Sequence, residues 1–115
     1  MSDFEAVFAT LRQTMLGVAG DQMIERDAPG DLVVRTNAID AKTGKPGWFG
    51  TVTVKKSYVA YHLMPLYTAP ELAEGISPAL EKRRQGKTCF NFKMIDQALF
   101  DELAALTGRA HATLG

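Results

Sequence analysis

Few side chains in this chain are equipped for covalent chemistry, and the first to weigh are its single thiol, Cys89, and the imidazole of His62. A thiol becomes a useful nucleophile when an imidazole, a cation or a helix N-terminus lowers its pKa. Both residues fall in short alternating runs that could be neighbouring strands. Neither sits in a local signature of a cysteine enzyme, and a free cysteine packs readily as a small apolar residue, so a half-buried strand position is the simpler reading. No catalytic residue is assigned from the sequence.

Metal ligation has less to build on. His62 and His111 are far apart in the chain, and no paired-histidine spacing arises. Asp3 and Glu5, with Asp21, Glu25 and Asp27, form the main acidic grouping, which ordinary solvated surface charge explains. The densest basic run is Lys82, Arg83, Arg84 and Lys87, with Lys93 not far behind. Such a run can contact anions, and it can equally be the wet face of a helix near its C-terminus. Gly86-Lys87-Thr88 looks like the tail of a phosphate loop, but the upstream glycine is missing and a strand follows where a helix is required. The aromatic residues Trp48, Phe49, Tyr58, Tyr61 and Tyr67 are more informative. Core packing absorbs most of them, yet a one-sided sheet must turn some toward a groove, and exposed apolar clusters often mark binding surfaces. Trp48, Tyr58, Tyr61 and His62, together with Lys87 and Asn91, are therefore the candidate ligand-binding set.

These side chains must be held by the elements around them. Phe4, Val7, Phe8, Leu11, Met15 and Val18 recur at helical spacing, so the chain opens on an amphipathic helix. Ser2 and Glu5 have the spacing of a capping box, and Gly17 and Gly20 are expected to end the helix. Residues 22–27 and 32–36 read as a hairpin around Ala28-Pro29-Gly30-Asp31. Residues 40–47 read as a mobile loop. Residues 48–54 alternate, with Trp48, Gly50, Val52 and Val54 on one side and Phe49, Thr51 and Thr53 on the other. Residues 58–64 follow as the hairpin partner, and Pro65 ends that run. A short helical turn from Pro70 to Gly75 precedes a helix that starts at Ser77-Pro78 and runs to Gly86. Residues 88–94 form the last strand, with Phe90 and Phe92 opposite Cys89, Asn91 and Lys93. Asp96 caps a final helix with Leu99, Leu103 and Leu106 on its buried stripe; Gly108 is expected to close it and residues 109–115 to fray.

Strands bracketed by helices point to the α+β class: one antiparallel or mixed sheet of about five strands, with the N- and C-terminal helices packed on one face. The 115 residues form a single domain spanning 1–115, large enough to bury roughly two-thirds of its unfolded surface without a metal or disulfide. Thirteen basic and thirteen acidic residues leave no net charge, which disfavours a dedicated nucleic-acid binder. One cysteine suits a reducing compartment, and neither a signal sequence nor a membrane span is expected, so the expected location is the cytoplasm.

Val54-Lys55-Lys56-Ser57-Tyr58-Val59-Ala60-Tyr61-His62-Leu63, then Pro65, then Gly86-Lys87-Thr88-Cys89-Phe90-Asn91-Phe92 and the closing leucine-rich helix resemble the YdhG-like bacterial domain family. The likeness covers the second half of the chain by residue pattern and the first half by element order. It implies a frataxin-like α-β-α sandwich and, from some members, iron handling for iron–sulfur or haem assembly. Carried to this chain, that role would place an iron surface at Asp3, Glu5 and Glu25. The first helix then continues with Thr10, Arg12, Gln13 and Thr14, so the acidic ridge such a role needs would be thin. The expected function is a non-enzymatic module that binds a small molecule or protein without a resident cofactor. An iron chaperone and a weak nucleic-acid or phosphate binder are the alternatives.

Overall fold

The computed structural model describes residues 3–39, 41–86 and 88–113, without the side chains of Asp3 and Thr68. It contains helix α1 (Asp3–Ala19), strands β1 (Met23–Ala28), β2 (Asp31–Ile39), β3 (Pro46–Val54) and β4 (Val59–Leu63), and a short helix α2 (Pro65–Thr68). A 3-10 turn at Pro70–Ala73, a short helix α3 (Pro78–Glu81), strands β5 (Arg84–Gln85) and β6 (Cys89–Phe92), and helix α4 (Gln97–Ala112) complete it. The class is α+β. One antiparallel six-stranded sheet runs in the order β1-β2-β3-β4-β6-β5, and the two long helices pack on one face of it.

The period-2 pattern decides what that face buries. Leu32 and Val34 of β2, Val52 of β3, Val59, Tyr61 and Leu63 of β4 and Phe90 and Phe92 of β6 are all buried. They meet Val7, Phe8, Leu11, Met15 and Ala19 of α1 and Leu99, Phe100, Leu103, Leu106 and Ala110 of α4. Phe92 and Phe100 pack edge to face with centroids 4.9 Å apart, the arrangement that aromatic quadrupoles favour. Leu66, Ala73 and Leu80 join the same core from the short helical segments.

Helix α1 does not end at Gly17: it continues to Ala19, and Gly20 donates its N–H to the Leu16 carbonyl at 2.9 Å. A glycine inside a helix costs about 1 kcal/mol, which the burial of Ala19 offsets. The proposed Ser2 cap lies outside the described residues. Helix α4 likewise runs through Gly108, and residues 109–112 are helical rather than frayed. Ala110 is fully buried, and His111 reaches Asp21 at 2.9 Å and the edge of Phe49, so the last turn is anchored from both sides.

The loop expected over 40–47 is shorter than that range, because Ile39 pairs with Pro46 and the ladder extends past Thr36. The helix expected from Ser77 to Gly86 is also shortened. Ser77 does cap it, accepting the N–H of Leu80, and Glu102 of α4 takes both the N–H and the hydroxyl of Ser77 at 2.6 and 2.7 Å. Helix α3 nevertheless stops at Glu81, and Arg84–Gln85 becomes β5, an edge strand of the sheet. The Arg83 carbonyl accepts the N–H of Asn91, so pairing with β6 replaces helical bonding.

The alternation in β3 is broken by a bulge. Val34 pairs with Gly50 and Arg35 with Trp48, which leaves Phe49 as an extra residue. Phe49 and Gly50 are therefore both buried on the helix side, and Trp48 faces the other way, contrary to the simple alternation that put Trp48 with Gly50. Gly50 has no room for a side chain. A Cβ there would stand 2.5 Å from the His62 carbonyl and 2.6 Å from Met15 Cε. Gly17 is the opposite case, with nothing near its missing Cβ. Gly17→Ala should raise stability by about 0.5–1 kcal/mol through helix propensity. Gly50→Ala should lower it by about 1–3 kcal/mol through overpacking against backbone. Urea midpoints of the two variants should move in opposite directions, and a neutral Gly50→Ala would contradict this packing.

Candidate functional site on the open sheet face

Alternation that sends one set of side chains under the helices sends the other to the opposite face. Register places Val33 and Arg35 of β2, Trp48, Thr51 and Thr53 of β3, Ala60 and His62 of β4, Cys89 and Asn91 of β6 and Gln85 of β5 there. All remain accessible to solvent except Ala60, which lies between Thr53 and Asn91. This open face carries three of the six ligand-binding candidates, Trp48, His62 and Asn91.

At its β1–β3 end the Arg35 guanidinium lies over the Trp48 ring, 3.6 Å from the centroid, and pairs with Glu25 at 2.8 Å. Trp48 keeps 47% of its surface exposed, so the ring is a stacking platform with a cation already on one side. In the centre, His62 stands directly across the ladder from Cys89. Its Nδ1 lies 3.4 Å from the Thr88 hydroxyl. The Cys89 thiol donates to Asn91 Oδ1 at 3.1 Å, and Asn91 Nδ2 donates to Gln85 Oε1 at 3.3 Å.

His62 and Cys89 are thus brought together as the only thiol and an imidazole, but they are not activated. Burial, and to a smaller extent the Lys55 ammonium, hold His62 below its ordinary pKa. Burial pushes the Cys89 thiol up, partly offset by Lys55. A thiolate–imidazolium pair needs both shifts reversed. At neutral pH this pair is a neutral thiol beside a neutral imidazole.

Tyr61 is placed elsewhere. It is fully buried on the helix side, and its hydroxyl lies 2.7 Å from Thr107 Oγ1. Thr107 gives its own hydrogen to the Leu103 carbonyl, so the Tyr61 O–H is the donor. Burial drives the phenol pKa far above its usual range, with the Thr107 contact opposing. Tyr61 is a core strut between β4 and α4 and cannot touch a ligand. Lys87 lies outside the described residues.

Tyr58 lies at the edge of the open face, where it lines a cleft of about 230 Å³ with Lys82, Arg83, Arg84, Gln85, Asn91 and Lys93. The sequence pointed to the basic run but placed it on a helix. The β5 turn instead folds it back against β6, bringing Lys93 into the same cluster. A larger cleft of about 650 Å³ sits at the far end of the helices, lined by Asp21, Gln22, Thr36, Asn37, Ala38, His111 and Ala112. There the Asp21–His111 contact fills the polar wall and holds the Asp21 carboxyl below the usual range.

The acidic grouping is dispersed. Glu25 is drawn to Arg35 on the open face, Asp27 is bound by Arg12 of α1 at 2.8 Å, and Asp21 by His111. Glu5 is exposed on α1, across the sheet from Glu25, and the Asp3 side chain lies outside the described set. Among the described residues no three His, Cys, Asp or Glu side chains converge as metal ligands. No helix among them is long and apolar enough to cross a membrane. No family model, curated protein or solved structure matches this chain.

Thr107→Val should cost about 1–3 kcal/mol by stranding the buried Tyr61 hydroxyl. Tyr61→Phe should cost less, since Thr107 keeps its bond to Leu103; chemical denaturation of both variants checks the order. His62 should titrate by NMR below the ordinary value of about 6.5. Because its folded pKa is depressed, the unfolded chain binds more protons in that window. The His62 contribution to stability is therefore present above the unfolded pKa and lost as pH falls through it toward the folded value. Alkylation of Cys89 by iodoacetamide should show a thiolate midpoint above that of free cysteine, and a midpoint below neutrality would reverse the assignment of an inert pair.

Proposed function

We propose that this chain is a non-enzymatic binding domain that receives its ligand on the open face of the sheet. The observation supporting this most directly is the one-sided roof: both long helices lie over one face, while Trp48, His62, Cys89 and Asn91 stand on the other. A face of this kind presents short side chains, Thr51, Thr53, Ala60 and Cys89, between a half-exposed indole at one end and a basic cleft at the other. On such a face an aromatic ring offers stacking area and a few placed polar groups set orientation. His62 and Asn91 supply hydrogen-bonding groups, and the Trp48 ring supplies stacking area.

The inactive protonation states of Cys89 and His62 support binding over catalysis. The iron-handling role implied by the YdhG-like and frataxin-like resemblance has no comparable support, since Glu5 and Glu25 are directed to opposite faces and Glu25 is already paired. A dedicated nucleic-acid surface is also disfavoured, because the cations at the β1–β3 end are neutralised by Asp27, Asp31 and Glu25.

The test is a metabolite library screened by amide-resolved NMR against the uniformly labelled protein. Binders should perturb Thr51, His62, Cys89 and Asn91, and Trp48→Ala with Asn91→Ala should weaken them while the folded fraction at the assay temperature stays unchanged. Binders that map only to the helix side would refute the proposal. So would catalytic turnover that disappears when His62 or Cys89 is replaced.

A further inference from the structure

We infer that the cleft formed by Lys82, Arg83, Arg84, Lys93, Tyr58 and Asn91 is a seat for a single phosphate-like dianion carried by a small organic ligand; this deepens the open-face reading by naming the chemistry of one end of that ligand.

The cleft gathers four cations from two separate stretches of chain, residues 82–84 and Lys93, which come together only because β5 pairs with β6. Among the described residues Arg84 meets a carboxylate, Glu81 at 3.4 Å. Among the described residues Lys82, Arg83 and Lys93 form no ion pair. Tyr58, Asn91 and Gln85 line the same cleft, with Asn91 Nδ2 donating to Gln85 Oε1 at 3.3 Å. Guanidinium and ammonium groups beside hydroxyl and amide donors match the several acceptor oxygens of a phosphate, and arginine can engage two of them at once.

Size separates a phosphate group from a nucleic-acid strand. A cleft of about 230 Å³ is below the usual range of a whole-ligand pocket, roughly 300–1,000 Å³. It is therefore an end site. Asn91 belongs to both surfaces, so the remainder of the ligand is placed to run along Ala60, Cys89 and His62 on the open face. A polyanion would need a continued track of cations, and beyond the centre of the sheet Arg35, Arg26 and Arg12 already face carboxylates. Arg83 and Lys93 also line a second, smaller concavity with Asp96, so they form the wall between the two and are the residues to alter. Both side chains are exposed, and removing them leaves the backbone pairing of Arg83 with Asn91 in place.

Phenyl phosphate and inorganic phosphate are titrated into the full chain and followed by amide NMR, with a short single-stranded DNA as the polyanion arm. The expected result is saturable perturbation of Tyr58, Arg83, Asn91 and Lys93 by phenyl phosphate. Spread toward Ala60 and His62 should be seen only with the aryl compound. The Arg83→Ala, Lys93→Ala double variant should bind at least about tenfold more weakly with an unchanged melting point, as loss of charge-assisted contacts requires. Absence of saturation at millimolar phosphate, or equal affinity in the double variant, overturns the inference. Tighter DNA binding, with a salt dependence that counts many phosphates, also overturns it in favour of a nucleic-acid surface. Uncharged library compounds binding at Trp48 and His62 while phosphate does not bind would leave the open-face reading standing and remove only the anion seat. Phosphate bound in the cleft without spread toward His62, with no library compound on the open face, would keep the seat and end the broader reading.

Discussion

A sheet has two faces, and this chain has two helices long enough to roof only one of them. Seventeen residues in α1 and sixteen in α4 span about 25 Å each at 1.5 Å per residue. Their apolar stripes meet the inward residues of β2, β3, β4 and β6 in one continuous core. The remaining helical pieces are four residues long; the Pro70–Ala73 turn and α3 pack against α4, and α2 against the Pro70–Ala73 turn. Everything that distinguishes the open face follows from this limit. Most of its side chains are compatible with water on one side: threonines, a cysteine, an asparagine, a glutamine, an arginine and a histidine stand there in place of leucines and phenylalanines.

The bulge at Phe49 couples the two faces. Inserting one residue opposite Arg35 lets Phe49 and Gly50 both turn inward, and it rotates Trp48 outward onto Arg35. The same insertion puts the Phe49 ring against His111 and so helps hold the last turn of α4, which in turn holds Asp21 at the α1–β1 connection. Gly50 is required beside it because Met15 of α1 occupies the space above. A local irregularity in β3 thus fixes the helix layer on one side and exposes the indole on the other.

Much of the architecture was legible in the residue pattern for physical reasons that are local. Helical spacing from Phe4 to Met15, the turn at Pro29-Gly30, the Asp96 cap and the split of Phe90 and Phe92 from Cys89 and Asn91 each depend on short-range periodicity or capping chemistry, and each is realised. The departures arise where a distant contact overrides a local preference. Gly17 and Gly108 do not stop their helices, because Ala19 and Ala110 are buried farther on. Arg84 and Gln85 leave the helix because β6 offers a ladder, and Phe49 changes side because β2 sets the register. Tyr61 was a plausible ligand residue by type, and only its partner Thr107, forty-six positions away, reveals it as a strut. The site was legible in its ingredients, Trp48, His62, Asn91 and the basic run, but not in its shape.

Charge shows why shape had to come from the fold. The chain is neutral in sum, and a neutral sum is compatible with any local distribution. At the β1–β3 end each of Arg12, Arg26 and Arg35 is met by a carboxylate from a neighbouring element. Exposed pairs of this kind add about 0–1 kcal/mol each to stability, so their main physical effect is to cancel the local potential. At the β5–β6 end Glu81 meets Arg84, while Lys82, Arg83 and Lys93 line a cleft with Tyr58 and Asn91. The sheet connects the two ends through a strip of small side chains, Thr51, Thr53, Ala60 and Cys89. An anion approaching this protein therefore meets paired cations at the β1–β3 end, and at the β5–β6 end a cluster in which Lys82, Arg83 and Lys93 line one cleft.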